Sequence, residues 1–249
     1  MAAEARLGMN SRQTPSSIKI DMTTVRPAIA ARIYRRIDDC IWRSYLSLTQ
    51  SPLQNSDLRR GEWLLLRSIL SSPKVTRYLE VGVYHLGCFL SAGKMLRNKQ
   101  GSEMLGVDLF DLANTMPSIT LKNQTHVGDT LTYETAKASL HEFPFARLER
   151  SDSSNAMRHL LAKDCKFDLI FIDGNHAFEA ALSDSLAALE LLSESGYLAL
   201  HNTSNQFYPD VDYISKDGGP RKAALLLSQR KDLRFLAERE RMMLFQSDK

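Results

Sequence analysis

Between Ala28 and Leu48, apolar residues fall at Ile29, Ile33, Ile37, Cys40 and Ile41, with Arg32, Arg35, Arg36 and Asp39 between them. This three-to-four-residue period predicts an amphipathic helix, and Pro27 suits its first turn, where a missing N–H costs nothing. A second helix is predicted over 57–69, with Trp63, Leu66, Ile69 and Leu70 inward and Pro73 just beyond its end. Residues 1–16 carry no period and read as a tail. The chain is expected to divide into that tail, a helical segment over 17–72, and a domain over 73–249.

After Pro73 the pattern changes to short apolar runs alternating with helical stretches. The runs are Arg77–Val83, Met104–Phe110, Phe145–Glu149, Phe167–Asp173 and Gly196–His201; the helical stretches are 86–96, 131–141, 154–162 and 177–192. In the last of these, Phe178, Leu182, Leu186 and Leu189 share a face opposite Glu179, Ser183 and Glu190. The nearly unbroken run Phe167-Asp-Leu-Ile-Phe-Ile suits a central strand covered on both faces. Strand–helix alternation predicts right-handed crossovers and a parallel sheet between helical layers. After a helix over 221–229, Leu233–Glu238 and Met242–Gln246 are too close for a crossover and are predicted to form an antiparallel hairpin. The expected class is α/β: a doubly wound, mostly parallel seven-stranded sheet with a C-terminal antiparallel hairpin, preceded by N-terminal helices.

Composition narrows the function classes. The chain has 249 residues, 43% hydrophobic and 24% charged, a balance that excludes a disordered protein. No apolar run reaches the roughly eighteen residues of a membrane span. The three cysteines, Cys40, Cys88 and Cys165, are too scattered for a disulfide framework or a CxxC zinc site and read as small buried hydrophobes. The first seventeen residues hold no apolar signal core, so a cytoplasmic location is expected. The net charge is +3, but residues 1–75 carry 12 Lys/Arg against 6 Asp/Glu and residues 76–249 carry 20 against 23. The excess lies in the N-terminal arm. It reads as a solvated helical face, because no dense basic cluster interleaved with aromatics marks a nucleic-acid surface.

Ligands of open α/β sheets bind beyond the carboxyl ends of the strands. At the first strand end, Tyr78-Leu-Glu80-Val-Gly82-Val-Tyr-His-Leu-Gly87-Cys88 places two glycines where the backbone can turn tightly and approach a ligand. Cys88-Phe89 stands where a phosphate loop needs Lys-Ser/Thr, and Tyr84 stands where the dinucleotide fingerprint needs its second glycine, so an ATPase and a nicotinamide dehydrogenase are disfavoured. Glu80 suits a cationic ligand better than a pyrophosphate. The second strand ends in Asp108, at the position where nucleotide-binding folds bind ribose hydroxyls; capping of the following loop is the competing reading.

The third, fourth and fifth strand ends read Leu148-Glu-Arg-Ser-Asp152-Ser, Phe167-Asp-Leu-Ile-Phe-Ile-Asp173-Gly-Asn-His176-Ala-Phe-Glu, and Gly196-Tyr-Leu-Ala-Leu-His201-Asn202-Thr. Together these resemble the class I S-adenosylmethionine-dependent methyltransferases. Within them they are similar to the small-molecule and sugar O-methyltransferases of the macrocin O-methyltransferase type, with its Ile-Asp-Gly-x-His strand end. The resemblance spans roughly Leu65 to Phe245 and is most specific over Asp173–His176. It departs from the pattern at Ser151 (glycine in the family), Phe178 (tyrosine), Ser195 (glycine) and Asn202 (aspartate). It implies that Glu80, Gly82, Val83 and Gly87 shape the methionine end of the cofactor site, that Asp108 binds the ribose, that Asp152 lies near the adenine, and that Asp173 faces both cofactor and acceptor.

Methyl transfer to an alcohol needs alignment and removal of a proton, by a base or a Lewis-acidic metal. Asp173, His176 and His201 are the catalytic candidates. For each histidine a packing role competes, as a helix-start residue for His176 and as a satisfied core histidine for His201. If a divalent metal such as Mg²⁺ takes part, Asp173 and Asn202 are its candidate ligands, but replacing a carboxylate by an amide weakens such a site. A two-histidine, one-carboxylate set of Asp173, His176 and His201 for a softer metal is a further reading. A metal-free histidine base is preferred. The expected partner is a small-molecule or glycan acceptor recognised by 111–128 and 202–219, which contain Phe207, Tyr208 and Tyr213. The N-terminal helices are candidates for a homodimer contact. Two other readings keep the fold: a nucleic-acid methyltransferase using the basic arm, against which stands the absence of an Asn/Asp-Pro-Pro-Tyr turn after the fourth strand, and a non-catalytic cofactor-binding module, which Asn202 keeps open.

Overall fold

The structure, a computed structural model, describes residues 37–110, 131–203 and 218–249. The expectations for the N-terminal tail, the start of the first helix, most of both acceptor segments, and Phe207, Tyr208 and Tyr213 lie outside the described residues. Contacts group the chain into Met1–Cys40 and Ile41–Lys249, so the second predicted helix belongs to the same unit as the sheet.

Helix α1 covers 37–48. A 3-10 turn at Pro52–Asn55 leads to α2 (Arg60–Leu70). There follow β1 (Arg77–Val81), α3 (Gly87–Leu96), β2 (Glu103–Asp108), α4 (Tyr133–Ala138), β3 (Ala146–Arg150), α5 (Ser153–Ala162), β4 (Phe167–Ile172), α6 (Phe178–Leu191), β5 (Leu192–Leu200), α7 (Gly219–Leu227), β6 (Leu233–Arg239) and β7 (Met242–Ser247). The seven strands lie in the order β3-β2-β1-β4-β5-β7-β6. β1 to β5 pair in parallel, and β7 joins antiparallel to both β5 and β6. The predicted doubly wound sheet with its reversed hairpin is therefore present. The strand order turns between β1 and β4, so their carboxyl ends flank the crevice where such folds bind ligands.

Period-two alternation divides the strand residues between two cores. Tyr78, Leu169, Phe171, Ala199 and Leu244 face α2 and α3. Leu79, Val81, Ile170, Ile172, Leu198 and Phe245 face α5, α6 and α7. Each large side chain removed from water contributes about 1.5–3 kcal/mol before entropy is counted. Asp168 interrupts the β4 run for a reason of its own. Its carboxylate accepts from the Thr76 and Arg77 amides, both at 2.9 Å, and from the Ser193 hydroxyl at 2.8 Å, fastening the amino end of the sheet.

Two helical faces differ from the sequence reading. In α1 the inward residues are Trp42 and Leu46, while Ile37, Cys40 and Ile41 are exposed. Two apolar stripes run along this helix, and the one that carries the larger aromatic surface is buried. In α6 the buried face is Ala181, Asp184, Ser185, Ala188 and Leu189, with Leu186 exposed. This helix packs against both α5 and α7, and small residues admit neighbours on two sides. Cys165 is half-buried and only Cys88 is fully buried.

Gly87 serves packing. A Cβ there would lie 2.5 Å from Ser56 N and 2.8 Å from Pro52 O, so its missing side chain admits the 3-10 turn onto the first turn of α3. Because backbone sits on the far side of the contact, Gly87→Ala is expected to lower stability by about 1–3 kcal/mol in urea unfolding. An unchanged midpoint would contradict the tight contact.

Candidate functional site

The loop after β1 makes its turn with few glycines. Gly82, Tyr84 and Leu86 have φ of +85°, +46° and +64°. A Cβ on Gly82 would lie 2.2 Å from Asp173 O, so the ends of β1 and β4 touch backbone to backbone. Tyr84 and Leu86 each hold a left-handed conformation that costs a non-glycine residue about 1–2 kcal/mol. Asp108 offsets this strain: its Oδ2 accepts from Val83 N at 2.9 Å and Tyr84 N at 3.0 Å, and its Oδ1 from Phe110 N at 3.0 Å. The loop-capping reading of Asp108 is thus realised. Three of about four carboxylate acceptor positions are filled, which leaves one for a ligand hydroxyl.

Beneath the loop, Glu80 is buried and accepts from Tyr78 OH at 2.6 Å. Burial pushes its carboxyl up to about 8, toward the protonated form. Asp152 caps α5 through Asn155 N at 3.0 Å. Val83 is a buried core residue whose amide, as above, is bound by Asp108.

At the ends of β4 and β5 the structure brings Asp173, His176, His201 and Asn202 together. Asp173 Oδ1 accepts from His201 Nδ1 at 2.8 Å and Asn202 Nδ2 at 3.2 Å. The same oxygen lies 3.8 Å from His176 Nε2. Asn202 Nδ2 also lies 3.0 Å from His176 Nε2; donation from the amide places the ring lone pair on Nε2. Asn202 has φ +54°, a conformation that Asn tolerates better than most residues. Two buried atoms here, His176 Nδ1 and Asn202 Oδ1, have no hydrogen-bond partner among the described residues.

His201 differs from His176. Its side chain is buried, and its Nε2 faces Glu62 Oε2 at 3.1 Å while its Nδ1 faces Asp173. Burial disfavours its charge, yet the two carboxylates raise its pKa to about 9. It is an imidazolium with both nitrogens occupied, so it has no lone pair for a substrate proton. The expectation of His201 as a base is corrected on that ground, and so is the two-histidine, one-carboxylate metal set. Asp173 is held well below the usual carboxylate range: burial opposes its charge, but His201 overcomes it. A magnesium ion does not fit this donor set either. Asp173 already faces a cation at 2.8 Å, and the neighbouring residue supplies an amide rather than a carboxylate. Among the described residues, no group of three or more His, Cys, Asp and Glu side chains is arranged to hold a metal.

Glu62, Arg241 and Asp57 are the residues that the sequence reading passed over. Glu62 is fully buried on the inward stripe of α2, four residues before Leu66. Its Oε1 accepts from Arg241 N and Nε, both at 2.9 Å, and its Oε2 from Arg59 N at 2.7 Å, His201 Nε2 at 3.1 Å and Arg241 Nη2 at 3.1 Å. Burial opposes its charge; His201 and Arg241 prevail and bring its pKa to about 2. Arg241, also buried, continues to Asp57 Oδ2 at 2.8 Å. Next to it, Glu240 in the β6–β7 turn accepts from Gly61 N at 3.0 Å and Glu62 N at 3.3 Å, at the positive end of α2. The signal was present in Glu62, a carboxylate inside an apolar stripe, but nothing in the pattern names its partner.

Removing one member of a buried ion pair strands the other. Glu62→Ala is expected to destabilise by about 3–5 kcal/mol in urea unfolding, whereas Arg230→Ala, in the exposed pair with Asp232, is expected to cost under about 1 kcal/mol. Equal small losses would contradict the network. The stabilisation from His201 is fully present below its unfolded value of 6.5 and is lost as pH rises through about 9. Glu80 acts in the same direction, since its raised value means that the folded state holds a proton the unfolded chain releases between about 4.5 and 8. Stability is therefore expected to fall steadily from about pH 5 to 9, and Glu80→Gln to remove the earlier part of that fall. A flat profile over this range would overturn the assignment.

Solved structures place this geometry in context. The chain is similar to a putative O-methyltransferase from Klebsiella pneumoniae, with a TM-score of 0.61 at 13% identity, covering 87% of this chain and 100% of that one. It is also similar to an O-methyltransferase from Bacillus cereus solved with SAH (TM-score 0.57, 11% identity, 94% of each chain). A third is the O-methyltransferase TomG from Streptomyces achromogenes, solved with SAM (TM-score 0.55, 14% identity, 93% of this chain and 92% of that one). At these identities the likeness is one of fold. No curated protein matches the chain. The family model described as a methyltransferase domain matches residues 79–203, from inside β1 through Thr203, a span that holds the Gly82 loop, Asp108, Asp152, Asp173, His176, His201 and Asn202. With half its length so matched, the chain belongs to that methyltransferase-domain family.

Proposed function

We propose that the chain is an S-adenosylmethionine-dependent O-methyltransferase that acts on a hydroxyl of a small molecule or glycan, with His176 as the base. The observation that carries this reading is the contrast between the two histidines that converge on Asp173. His201 is locked as a cation, whereas His176 keeps a lone pair on Nε2 that faces the strand-end crevice residues Asp173 and Asn202.

The residues fit the cofactor. Asp108 has one acceptor position left for a ribose hydroxyl, the orphaned Asn202 Oδ1 accepts a donor, and the permanently ionised Asp173 favours a cation. Gly82, Val83, Asp108, Asp152 and Asp173 would hold it. When bound, it supplies an electrophilic methyl group on a sulfonium. An acceptor hydroxyl would take the place of Asn202 Nδ2 as the donor to His176 Nε2. His176 then receives the proton, and the imidazolium that forms faces Asp173 Oδ1 at 3.8 Å. Asp173 can stabilise this second cation because its charge does not depend on pH near neutrality. Likeness to enzymes described as O-methyltransferases supports an oxygen acceptor.

Calorimetric titration should show binding of S-adenosylmethionine and S-adenosylhomocysteine, and failure to bind either would overturn the reading. In a methyl-donor consumption screen over sugars, phenols and other alcohols, His176→Ala is expected to lower kcat by about 10²–10⁴-fold with cofactor affinity unchanged. Activity is expected to survive EDTA treatment. Restoration only by added Mg²⁺ would contradict a metal-free base.

A further inference from the structure

The strand-end site does not account for an open cavity of about 620 Å³ bordered by α1, the 3-10 turn, α2 and α3. Its lining includes Lys94 and Met95 from the last turns of α3 and shares no residue with the Gly82 loop or the Asp173 cluster. A volume of this size suits a small organic ligand. The apolar wall comes from Trp42, Trp63 and Met95, and three cations, Arg60, Arg67 and Lys94, complete it with no carboxylate among the lining residues.

We propose that this cavity is a second binding site, for a small amphipathic anion. An acyl or aromatic body lies against Trp42, Trp63 and Met95, and a carboxylate or phosphate meets Arg67 and Lys94. The flat indole faces supply apolar area with little entropy to lose, and the cations supply charge-assisted contacts. The site is independent of the proposed reaction, since no residue of the strand-end cluster contributes to it.

The test is a fluorescence titration of the full chain with 8-anilinonaphthalene-1-sulfonate in saturating S-adenosylhomocysteine, followed by displacement with decanoate and with decyl phosphate. One saturable site is expected, displaced by at least one of the two, the stronger competitor identifying the head group. The pair of substitutions Arg67→Glu and Lys94→Glu is expected to weaken binding by about tenfold or more. Absence of binding, competition by S-adenosylhomocysteine, or binding unmoved by the paired substitutions would overturn the proposal. So would tryptophan emission that follows protein concentration without any response to the probe, which would mark the face as a contact between copies.

Discussion

A buried line of alternating charge, Asp173–His201–Glu62–Arg241–Asp57, joins the ends of β4 and β5 to α2 and to the β6–β7 turn. Each internal member lies between opposite charges, which is the condition under which a protein interior tolerates ions at all. Such a line adds little net stability over an apolar filling, because desolvation consumes most of the Coulombic gain. Its effect is on arrangement. Glu62 and Arg241 meet through three hydrogen bonds in the core, which ties α2 and the C-terminal hairpin to one another beside the strand ends.

That arrangement decides the chemistry of the crevice. Two histidines point at one carboxylate, and only their outer neighbours distinguish them. Glu62 occupies the far nitrogen of His201 and makes it a fixed cation. Asn202 faces the near nitrogen of His176 through a single neutral contact, the one an acceptor hydroxyl would replace in the reaction proposed above. Asp173, kept ionised by the first histidine, remains able to stabilise charge on the second. The strained loop over 82–86 is the other half of the site. There Asp108 uses its carboxylate to hold backbone that glycines hold elsewhere.

The strands, their mostly parallel order and the closing hairpin were legible because each rests on a local period or a short connection, as in Phe167–Ile172 and in the close spacing of Leu233–Arg239 and Met242–Ser247. That Asp173, His176, His201 and Asn202 would lie together was legible because they end neighbouring strands of one parallel sheet. The missing parts are long-range. Nothing near Glu62 in sequence announces Arg241, 179 residues away. Gly87 reads as a ligand-facing glycine until Pro52–Asn55 is seen packed on it. Periodicity likewise finds apolar stripes on α1 and α6 but not which stripe is covered, since that depends on neighbours contributed by other segments. Tyr84 shows the reverse limit: it breaks a glycine fingerprint in the sequence while its backbone adopts the left-handed turn all the same.

The central claim is that His201 is a permanent imidazolium held between Asp173 and Glu62. Nitrogen-15 resonances of its ring, followed by NMR in the full-length protein from pH 6 to 10, report that state directly. The account predicts that both ring nitrogens stay protonated through neutrality and lose a proton only near pH 9. A His201 ring that titrates near the unperturbed value of about 6.5, or that holds a single neutral tautomer at pH 7, would contradict it.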